Sequence, residues 1–275
     1  MRTMCETSQA MTTYITLLGC GSSGGVPRVG QGWGACDPDE PRNRRRRCSA
    51  LVERESTDGI TRVLIDTSPD LREQLLGVGI DHLDGVILTH DHADHTHGLD
   101  DLRPLTILNR RQIDVYADAP TARSMMSRFS YCFVQPVGSN YPPILNLHEV
   151  RMGTPITIEG RGGALTFETF RLIHGDIDCL GLKVSNAVYS PDVNEIPEES
   201  IKALTGLDLW VLDALRPTRH PTHFSLPEAL EWIARMTPRR AVLTNLHTDL
   251  DYRTLAASLP DTIVPAYDGL RIMLD

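Results

Sequence analysis

Short apolar runs recur along the chain, and glycines or polar turns separate them. The runs with the length and composition of strands are residues 14–18, 49–53, 62–66, 85–88 and 113–117. The second and third of these are predicted to pair across the polar turn 56–59. More strands are predicted from about residue 147 to residue 189, with residues 160–163 as a hairpin turn.

Helical patterns lie between these runs. Residues 99–108 have apolar positions at helical spacing, and residues 69–76 predict a shorter helix. Asp66, at the end of its strand, is predicted either to brace the loop that follows the apolar run 85–88 or to cap this short helix. Ser225, Pro227 and Glu228 form an S-x-x-E capping pattern and predict a further helix start. Strand and helix therefore alternate, as in an α/β protein.

The composition indicates a globular protein of enzyme size. The chain has 275 residues, 41% of them hydrophobic, and a formal net charge of -9, which opposes nonspecific attraction to nucleic acid or anionic membranes. No apolar run approaches the roughly eighteen residues of a membrane span. The six cysteines form no C-x-x-C pair and no signal segment is recognisable, so we predict a cytoplasmic protein. Residues 1–12 are predicted as a tail and residues 13–275 as a single domain.

A cluster of metal-binding side chains follows the apolar run 85–88. His90, His92, Asp94 and His95 stand in H-x-H-x-D-H spacing, and their imidazole and carboxylate groups suit zinc, manganese or iron. On one helix His90 and His92 would point about 200° apart, so a strand-to-loop-to-helix turn is needed to bring the ligands together. The spacing predicts a metal site here.

Three residues in the second half can complete this site. His174, Asp192 and His247 each stand just past the end of an apolar strand, as the H-x-H-x-D-H motif does. A sheet whose strands end along one edge would bring these residues together. That shared position is the reason to prefer them over the other histidines.

Two segments are candidates for binding phosphate. Residues 19–27 are rich in glycine and include Ser22 and Ser23, and this loop is either a phosphate-binding loop or a tight turn. Residues 42–47 carry five arginines, among them Arg46 and Arg47. The arginine run is a solvated face, a site for a small phosphate or a site for polynucleotide.

An aromatic segment interrupts the alternation of strands and helices. Residues 131–143 contain Tyr131, Phe133 and Tyr141 among prolines and glycines, which predict irregular structure. We interpret the segment as a candidate lid whose rings stack on a nucleobase. The alternative is that the rings anchor the loop to the body of the protein.

These motifs together resemble the metallo-β-lactamase superfamily over nearly the whole chain. A closer similarity, to the phosphodiesterase branch that hydrolyses phosphoribosyl cyclic phosphate, is carried by the glycine loop before Val26-Pro27, by Trp33-Gly34, by Cys48-Ser49, and by Gly98-Leu99 with Leu102-Arg103. The resemblance implies a four-layer αββα sandwich, classed as α/β or in some schemes α+β, with metals at the strand ends.

The resemblance also implies the roles of the metal ligands. One zinc or manganese ion would bind His90, His92 and His174, the other would bind Asp94, His95 and His247, and Asp192 would bridge them. Two departures from the family pattern stand out. Only Cys36 remains of the cysteines that hold a structural zinc, so no third metal is expected. Asn245 replaces the family's histidine after Thr244, and His247 is the nearest substitute.

The implied activity is hydrolysis of a small cyclic phosphate or a nucleotide-like phosphodiester. A hydroxide between the two cations would attack phosphorus. The catalytic residues would be Asp94, His223 as the acid for the leaving group, and Asp213 as the carboxylate that orients His223. The expected partner is a small phosphorylated substrate, nucleotides included, and neither a membrane nor a polynucleotide. A homodimer is left open.

Three alternatives differ in class. A hydrolase of β-lactams, thioesters or lactones would use the same metal loop but needs neither the glycine loop nor the arginine run. An enzyme similar to the tRNA 3′-processing endonucleases would need a tRNA-gripping insertion, and the chain has Asp213-Ala214-Leu215 where that group has a His-Glu-Ala-Thr sequence. A noncatalytic module would keep the metal for structure alone.

Overall fold

Two seven-stranded sheets form the centre of this computed structural model, which describes residues 11–274. The first sheet consists of β1 (Thr12–Gly19), β2 (Ser49–Ser56), β3 (Gly59–Ile65), β4 (Gly85–Ile87), β5 (Ile113–Asp118), β6 (Leu145–Val150) and β14 (Leu270–Leu274). Its strand order is β14-β1-β2-β3-β4-β5-β6. Neighbours from β14 to β3 pair antiparallel, and those from β3 to β6 pair parallel.

The second sheet follows the same plan. It consists of β7 (Ile156–Ile158), β8 (Leu165–His174), β9 (Ile177–Val184), β10 (Ala187–Ser190), β11 (Leu209–Asp213), β12 (Arg240–Thr244) and β13 (Ile263–Pro265). Its order is β13-β12-β11-β10-β9-β8-β7. Strands β7 to β10 pair antiparallel, and strands β10 to β13 pair parallel.

Helices cover the outer face of each sheet. They are α1 (Leu71–Val78), α2 (Ala93–Thr96), α3 (Arg103–Asn109), α4 (Ala119–Phe133), α5 (Leu226–Met236) and α6 (Tyr252–Ser258), with 3-10 helices at Pro41–Asn43, Leu99–Leu102 and Glu198–Leu204. Helix α5 begins with the predicted capping box of Ser225 and Glu228. No helix in residues 11–274 is long and apolar enough to cross a membrane.

Three apolar layers lie between the four layers of the fold, which are helices, first sheet, second sheet and helices. In β3, Val63 and Ile65 face the second sheet, whereas Leu64 packs against the helices outside the first sheet. In β11, Val211 faces the first sheet and Trp210 packs outward beneath α5. Because successive strand residues point to opposite faces and both faces are covered, these strands are apolar throughout. The predicted α/β fold with an αββα sandwich is confirmed.

Most predicted elements are present, with changes at their ends. The strand predicted from residue 14 begins at Thr12, so the last residue of the predicted tail belongs to β1, while residues 1–10 lie outside the described part. The predicted helix 99–108 is a 3-10 turn followed by α3. Hairpin β7–β8 has residues 160–163 in its turn, as predicted.

The two sheets meet along one edge, where several parallel strands end. The loop after β4 contacts the second sheet there, because the backbone N–H of Leu180 in β9 donates to the carbonyl of Thr89 at 2.9 Å. Strands β10, β11 and β12 end beside it in register, with Ser190 opposite Leu212 and Asp213 opposite Thr244. Polar residues that follow these strands are therefore brought together.

Candidate active site

Asp66, the residue after β3, holds the metal-binding loop in place. Its backbone is left-handed, with φ of 61°, and its carboxylate is fully buried. Thr89 donates to it from the backbone N–H and from the hydroxyl, both at 2.8 Å, and Nδ1 of His95 lies 2.7 Å away. Burial raises the pKa of Asp66 in spite of these contacts. The predicted bracing role is confirmed, and Asp70 rather than Asp66 precedes α1.

His90, His92, His174 and Asp192 form the first ligand group. One ligand atom from each of them lies within 4.8 Å of the others. Nε2 of His174 is 3.1 Å from Nδ1 of His92 and 3.6 Å from Oδ2 of Asp192. His90 and His92 come from the loop after β4, whereas His174 ends β8 and Asp192 follows β10. The group therefore joins the two sheets.

Asp94, His95 and Asp192 form the second ligand group. Nε2 of His95 lies 3.1 Å from Oδ1 of Asp192 and 3.5 Å from a carboxylate oxygen of Asp94. Asp192 thus directs Oδ1 to the second group and Oδ2 to the first. This places it between the two groups, as its predicted bridging role requires.

The chemistry of these side chains fits divalent cations. Nε2 of His90 is buried and has no hydrogen-bond partner in the described part of the chain, and Nε2 of His95 is buried beside the carboxylates of Asp192 and Asp94. Burial lowers the pKa of His90 far below its usual value and that of His174 to about 4, so both rings are neutral at pH 7. Neutral imidazoles with unpartnered, buried nitrogens beside shared carboxylates are the usual ligands of zinc and similar ions.

The pKa of His95 is shifted in the opposite direction from those of His90 and His174. Burial by itself lowers its pKa, but the carboxylates of Asp192, Asp66 and Asp94 outweigh burial and raise it well above the usual value. The three carboxylates therefore make a positive charge at His95 favourable. A divalent cation can supply this charge in place of a proton.

The placement of His247 corrects the sequence prediction for the last ligand. His247 belongs to neither group, because its Nδ1 lies 3.0 Å from Asp249 and its Nε2 contacts the guanidinium of Arg28. Asn245, which directly follows β12, stands beside the bridging carboxylate instead. Its Nδ2 lies 2.9 Å from Oδ1 of Asp192.

His223 stands at the border of the first group. Its Nδ1 lies 2.8 Å from Oδ2 of Asp213, and its Nε2 lies 3.9 Å from Oδ2 of Asp192. The ring packs edge-on against His174, with centroids 4.6 Å apart. Asp213 is buried at the end of β11 and also accepts the backbone N–H of Val193 at 3.1 Å. The structure therefore places Asp213 where it orients His223, as predicted.

Carboxylates keep His223 protonated. Burial alone would lower the pKa of His223, but Asp213 and Asp192 outweigh burial and raise it to about 9. Burial raises the pKa of Asp213 to about 7, against the opposing effect of His223. These shifts favour a shared proton between Asp213 and His223 at the border of the ligand cluster.

The predicted phosphate-binding residues have mixed placements. Ser22 is buried with an unpartnered hydroxyl, whereas Ser23 is exposed. Nε and Nη2 of Arg47 bind both oxygens of Asp70, at 2.8 and 2.7 Å. The backbone N–H of Arg46 binds Asp268, and its guanidinium lies 4.0 Å from the same carboxylate. Asp70 therefore already binds the guanidinium of Arg47, whereas the guanidinium of Arg46 makes only a long ion pair and is 39% exposed.

A different cationic group, which the sequence did not reveal, lies at the mouth of the site. It consists of Arg28, Arg216, His220 and His247, and we call it the cationic rim. Burial and neighbouring positive charges lower the pKa of both histidines, so the two arginines carry the charge of the rim at neutral pH. The ring of His220 lies 5.1 Å from that of His223. The rim residues are spread from position 28 to position 247 and lie in three loops, so no local sequence pattern identifies them. Each is half-buried and hence open to solvent.

The aromatic segment is not a lid over the metal ligands. Tyr131 and Phe133 belong to the last turn of α4, and Phe133 packs against the outer layer of the first sheet. Helix α4 starts at the ligand edge, where Ser124 binds Asp91, and it runs away from that edge. Tyr131 and Tyr141 line a cavity of about 930 Å³ near the start of β5. The prediction that these rings cover the active site is wrong.

Comparison with known proteins gives one family. The family model for the Beta-lactamase superfamily domain matches residues 61–245. Octanoyltransferase of Porphyromonas gingivalis is 38% identical over 264 residues, which cover 94% of this chain and 51% of that protein. The chain therefore spans about half the length of this curated relative.

Solved structures agree with the family model. A new diphosphatase from the PhnP family superposes with a TM-score of 0.86 at 34% identity, covering 96% of this chain and 98% of that one. Zinc-bound PqqB from Methylobacterium extorquens superposes with a TM-score of 0.74 at 18% identity, covering 95% and 100%. The second likeness is one of fold alone.

Proposed function

The chain belongs to the metallo-β-lactamase superfamily of metal-dependent hydrolases, and we propose that it hydrolyses a small phosphodiester. The substrate class is a cyclic phosphate or a nucleotide-like phosphodiester, and the cofactors are two divalent cations, zinc or manganese. The similarity to a diphosphatase of the PhnP family supports a phosphoric ester or anhydride as the bond that is cleaved. Linear diphosphates therefore belong among the substrates to be tested.

The position of His223 at the border of the ligand cluster, 2.8 Å from Asp213 and 3.9 Å from Asp192, is the observation that carries this proposal. Hydrolysis of an unactivated phosphodiester expels an alkoxide, which needs a proton as it leaves. His223 is placed to supply that proton, because Asp213 at 2.8 Å fixes its ring orientation and raises its pKa. The helix start that follows at Ser225 is closed by a capping box, so His223 stands on a well-defined loop.

The chain's own residues divide the remaining tasks. His90, His92, His174 and Asp192 hold one cation, and Asp94, His95 and Asp192 the other. When bound, the two cations supply Lewis acidity that polarises a phosphoryl oxygen and favours ionisation of water. Arg28 and Arg216 of the cationic rim add positive charge on the solvent side, where an anionic substrate would enter.

The glycine loop closes the other side of the site. Gly21 pairs with Arg47 on one side and with Leu246 on the other, so the loop runs beside Asn245 and the second ligand group. Ser22 follows directly, and its buried hydroxyl has no partner in the described residues. A phosphoryl oxygen that reaches this hydroxyl would satisfy it, which gives the predicted serine a substrate-binding role.

The experiment that tests this function varies the leaving group. His223→Ala should keep its metal content but lose about a hundredfold in turnover on a cyclic nucleotide, whose leaving group is a poor one. Turnover of bis(p-nitrophenyl) phosphate, whose leaving group is the stable nitrophenolate, should fall much less in the same variant. His148→Ala, on the surface of the first sheet, is the matched control and should change neither rate.

A substrate panel separates this function from its alternatives. Metal-loaded protein is assayed with cyclic phosphates, linear phosphodiesters, diphosphates, β-lactams and thioesters. We expect turnover of phosphoric esters or anhydrides only. Equal losses in His223→Ala on good and poor leaving groups would contradict the proton-donor role, and turnover of a β-lactam or thioester alone would contradict the substrate class.

A further inference from the structure

The two ligand groups offer different donor atoms. The first group has three imidazoles and one carboxylate, from His90, His92, His174 and Asp192. The second has one imidazole and two carboxylates, and Asn245 stands beside it after β12. An asparagine side chain can offer a cation only its amide oxygen. The second group is therefore oxygen-rich, whereas the first is nitrogen-rich.

The amide of Asn245 lies between the bridging carboxylate and His223. Asn245 is buried, with a left-handed φ of 61°, and its Nδ2 donates to Oδ1 of Asp192 at 2.9 Å. The same Nδ2 lies 3.2 Å from Nδ1 of His223. The side chain is therefore within reach of a cation that Asp192 binds.

A half-turn of the amide would place its oxygen beside the bridging carboxylate. The oxygen would take the position of Nδ2, which lies 2.9 Å from Oδ1 of Asp192. Two oxygens at this distance repel unless a proton or a cation lies against both. A cation held by Asp192, Asp94 and His95 would remove this repulsion, and Asn245 would then contribute an oxygen to it.

We propose that the metal centre is unequal, with a tight zinc-type cation in the first group and a weaker, exchangeable cation in the second, where manganese or magnesium competes with zinc. The proposal rests on the metal centre of the proposed function and concerns the selectivity of its second position. Zinc keeps an intrinsic advantage over manganese at nitrogen ligands. An amide oxygen in place of an imidazole reduces that advantage, because oxygen ligands suit manganese and magnesium.

Metal loading of wild type and Asn245→His tests this selectivity without an activity assay. Apoprotein is loaded with zinc, manganese or an equal mixture and desalted, and bound metal is measured by mass spectrometry and by the electron paramagnetic resonance of manganese. Wild type should retain one zinc equivalent after desalting, from zinc alone or from the mixture, and should take up a second cation, zinc or manganese, only in dialysis against excess metal. Asn245→His should retain two zinc equivalents, with the second bound about tenfold or more tighter than in wild type.

Two further variants keep the experiment decisive. His247→Asn is the control and should match wild type in both metals, because His247 lies against Asp249 and Arg28 rather than in a ligand group. Asn245→Asp restores a strong oxygen donor and should raise manganese affinity, which tests the proposal if Asn245→His fails to fold. Asparagine, aspartate and histidine all tolerate the left-handed backbone at this position.

Other outcomes overturn the proposal. Wild type that holds two zinc equivalents within about threefold of each other in affinity, or an Asn245→His variant with an unchanged ratio of zinc to manganese, would contradict it. Failure of the proposed function is a separate result. In that case the metals bind unequally as described, yet no loaded form hydrolyses a phosphoric ester or anhydride.

Discussion

The two sheets supply the active site in different ways. The first sheet provides one continuous loop, residues 89–95, and a single carboxylate, Asp66, binds that loop at Thr89 and His95. The second sheet provides one residue from each of several loops, namely His174, Asp192, His223 and Asn245. The first half of the site therefore depends on a local brace, whereas the second half depends on the register of parallel strands.

This difference teaches where each half is vulnerable and where it can vary. Strands β10, β11 and β12 pair in register, so Asp192, Asp213 and Asn245 follow them at one edge. A change in one of these loops leaves the others in place, because each loop is held by its own strand. A change in the brace of the first loop affects every ligand on that loop.

The largest effect is expected from Asp192→Ala, since this residue serves both halves. It lies within 3.1 Å of His95 and 3.6 Å of His174, and each ligand group loses its shared oxygen donor. We expect loss of both metals and a fall in turnover of about a thousandfold or more, measured by metal analysis and steady-state kinetics. Asp178→Ala, an exposed carboxylate on the same sheet, is the control. Full metal content in Asp192→Ala would refute the bridging role.

The brace of the first loop should be the next most sensitive. Asp66→Ala leaves the N–H and hydroxyl of Thr89 and Nδ1 of His95 buried without their acceptor. The free energy of unfolding of the apoprotein should fall by roughly 2 to 4 kcal/mol, measured by chemical denaturation. Asn245→Ala, the corresponding change in the second half, should affect metal binding far more than stability. Equal losses of stability in the two variants would remove the contrast between the halves.

Asp213→Asn should give the smallest effect, a change in the pH profile. His223 must be protonated to donate, so the rate falls as pH rises through its pKa, which Asp213 raises. Without that negative charge the pKa of His223 falls, and the decline begins at lower pH, with a loss of about tenfold at pH 8 on a poor leaving group. Asp208→Asn, at the other end of β11, is the control. If the rate of Asp213→Asn declines over the same alkaline pH range as that of wild type, this account is contradicted.

The sequence alone was sufficient for the contiguous half of the site and for most strands. His90, His92, Asp94 and His95 follow a short strand, and their spacing allows only a few backbone paths by which they can meet. The alternation of β2 and β3 about their turn was also visible, because side-chain direction in a strand follows position directly. Local geometry determines these features.

Two errors in the sequence predictions have a common physical cause. The prolines and glycines of residues 136–143 indicated irregular structure, but α4 continues through Tyr131 to Phe133 because Cys132 is buried in the outer layer of the first sheet. His247 stands two residues past Asn245, and its ring turns to Arg28 and Asp249. In both cases packing against residues distant in sequence determined the outcome.

What the sequence determined by itself was the chemistry of the first loop, the rhythm of strands and the capped start of α5, because each depends on neighbours a few residues apart. Only the tertiary structure decided that Asp66 braces the loop and that Asn245 and not His247 stands at Asp192. It also decided that His220 lies against His223 and that Arg28 lies against His247. These residues come from separate loops, and only the packing of the two sheets places them within reach of one another.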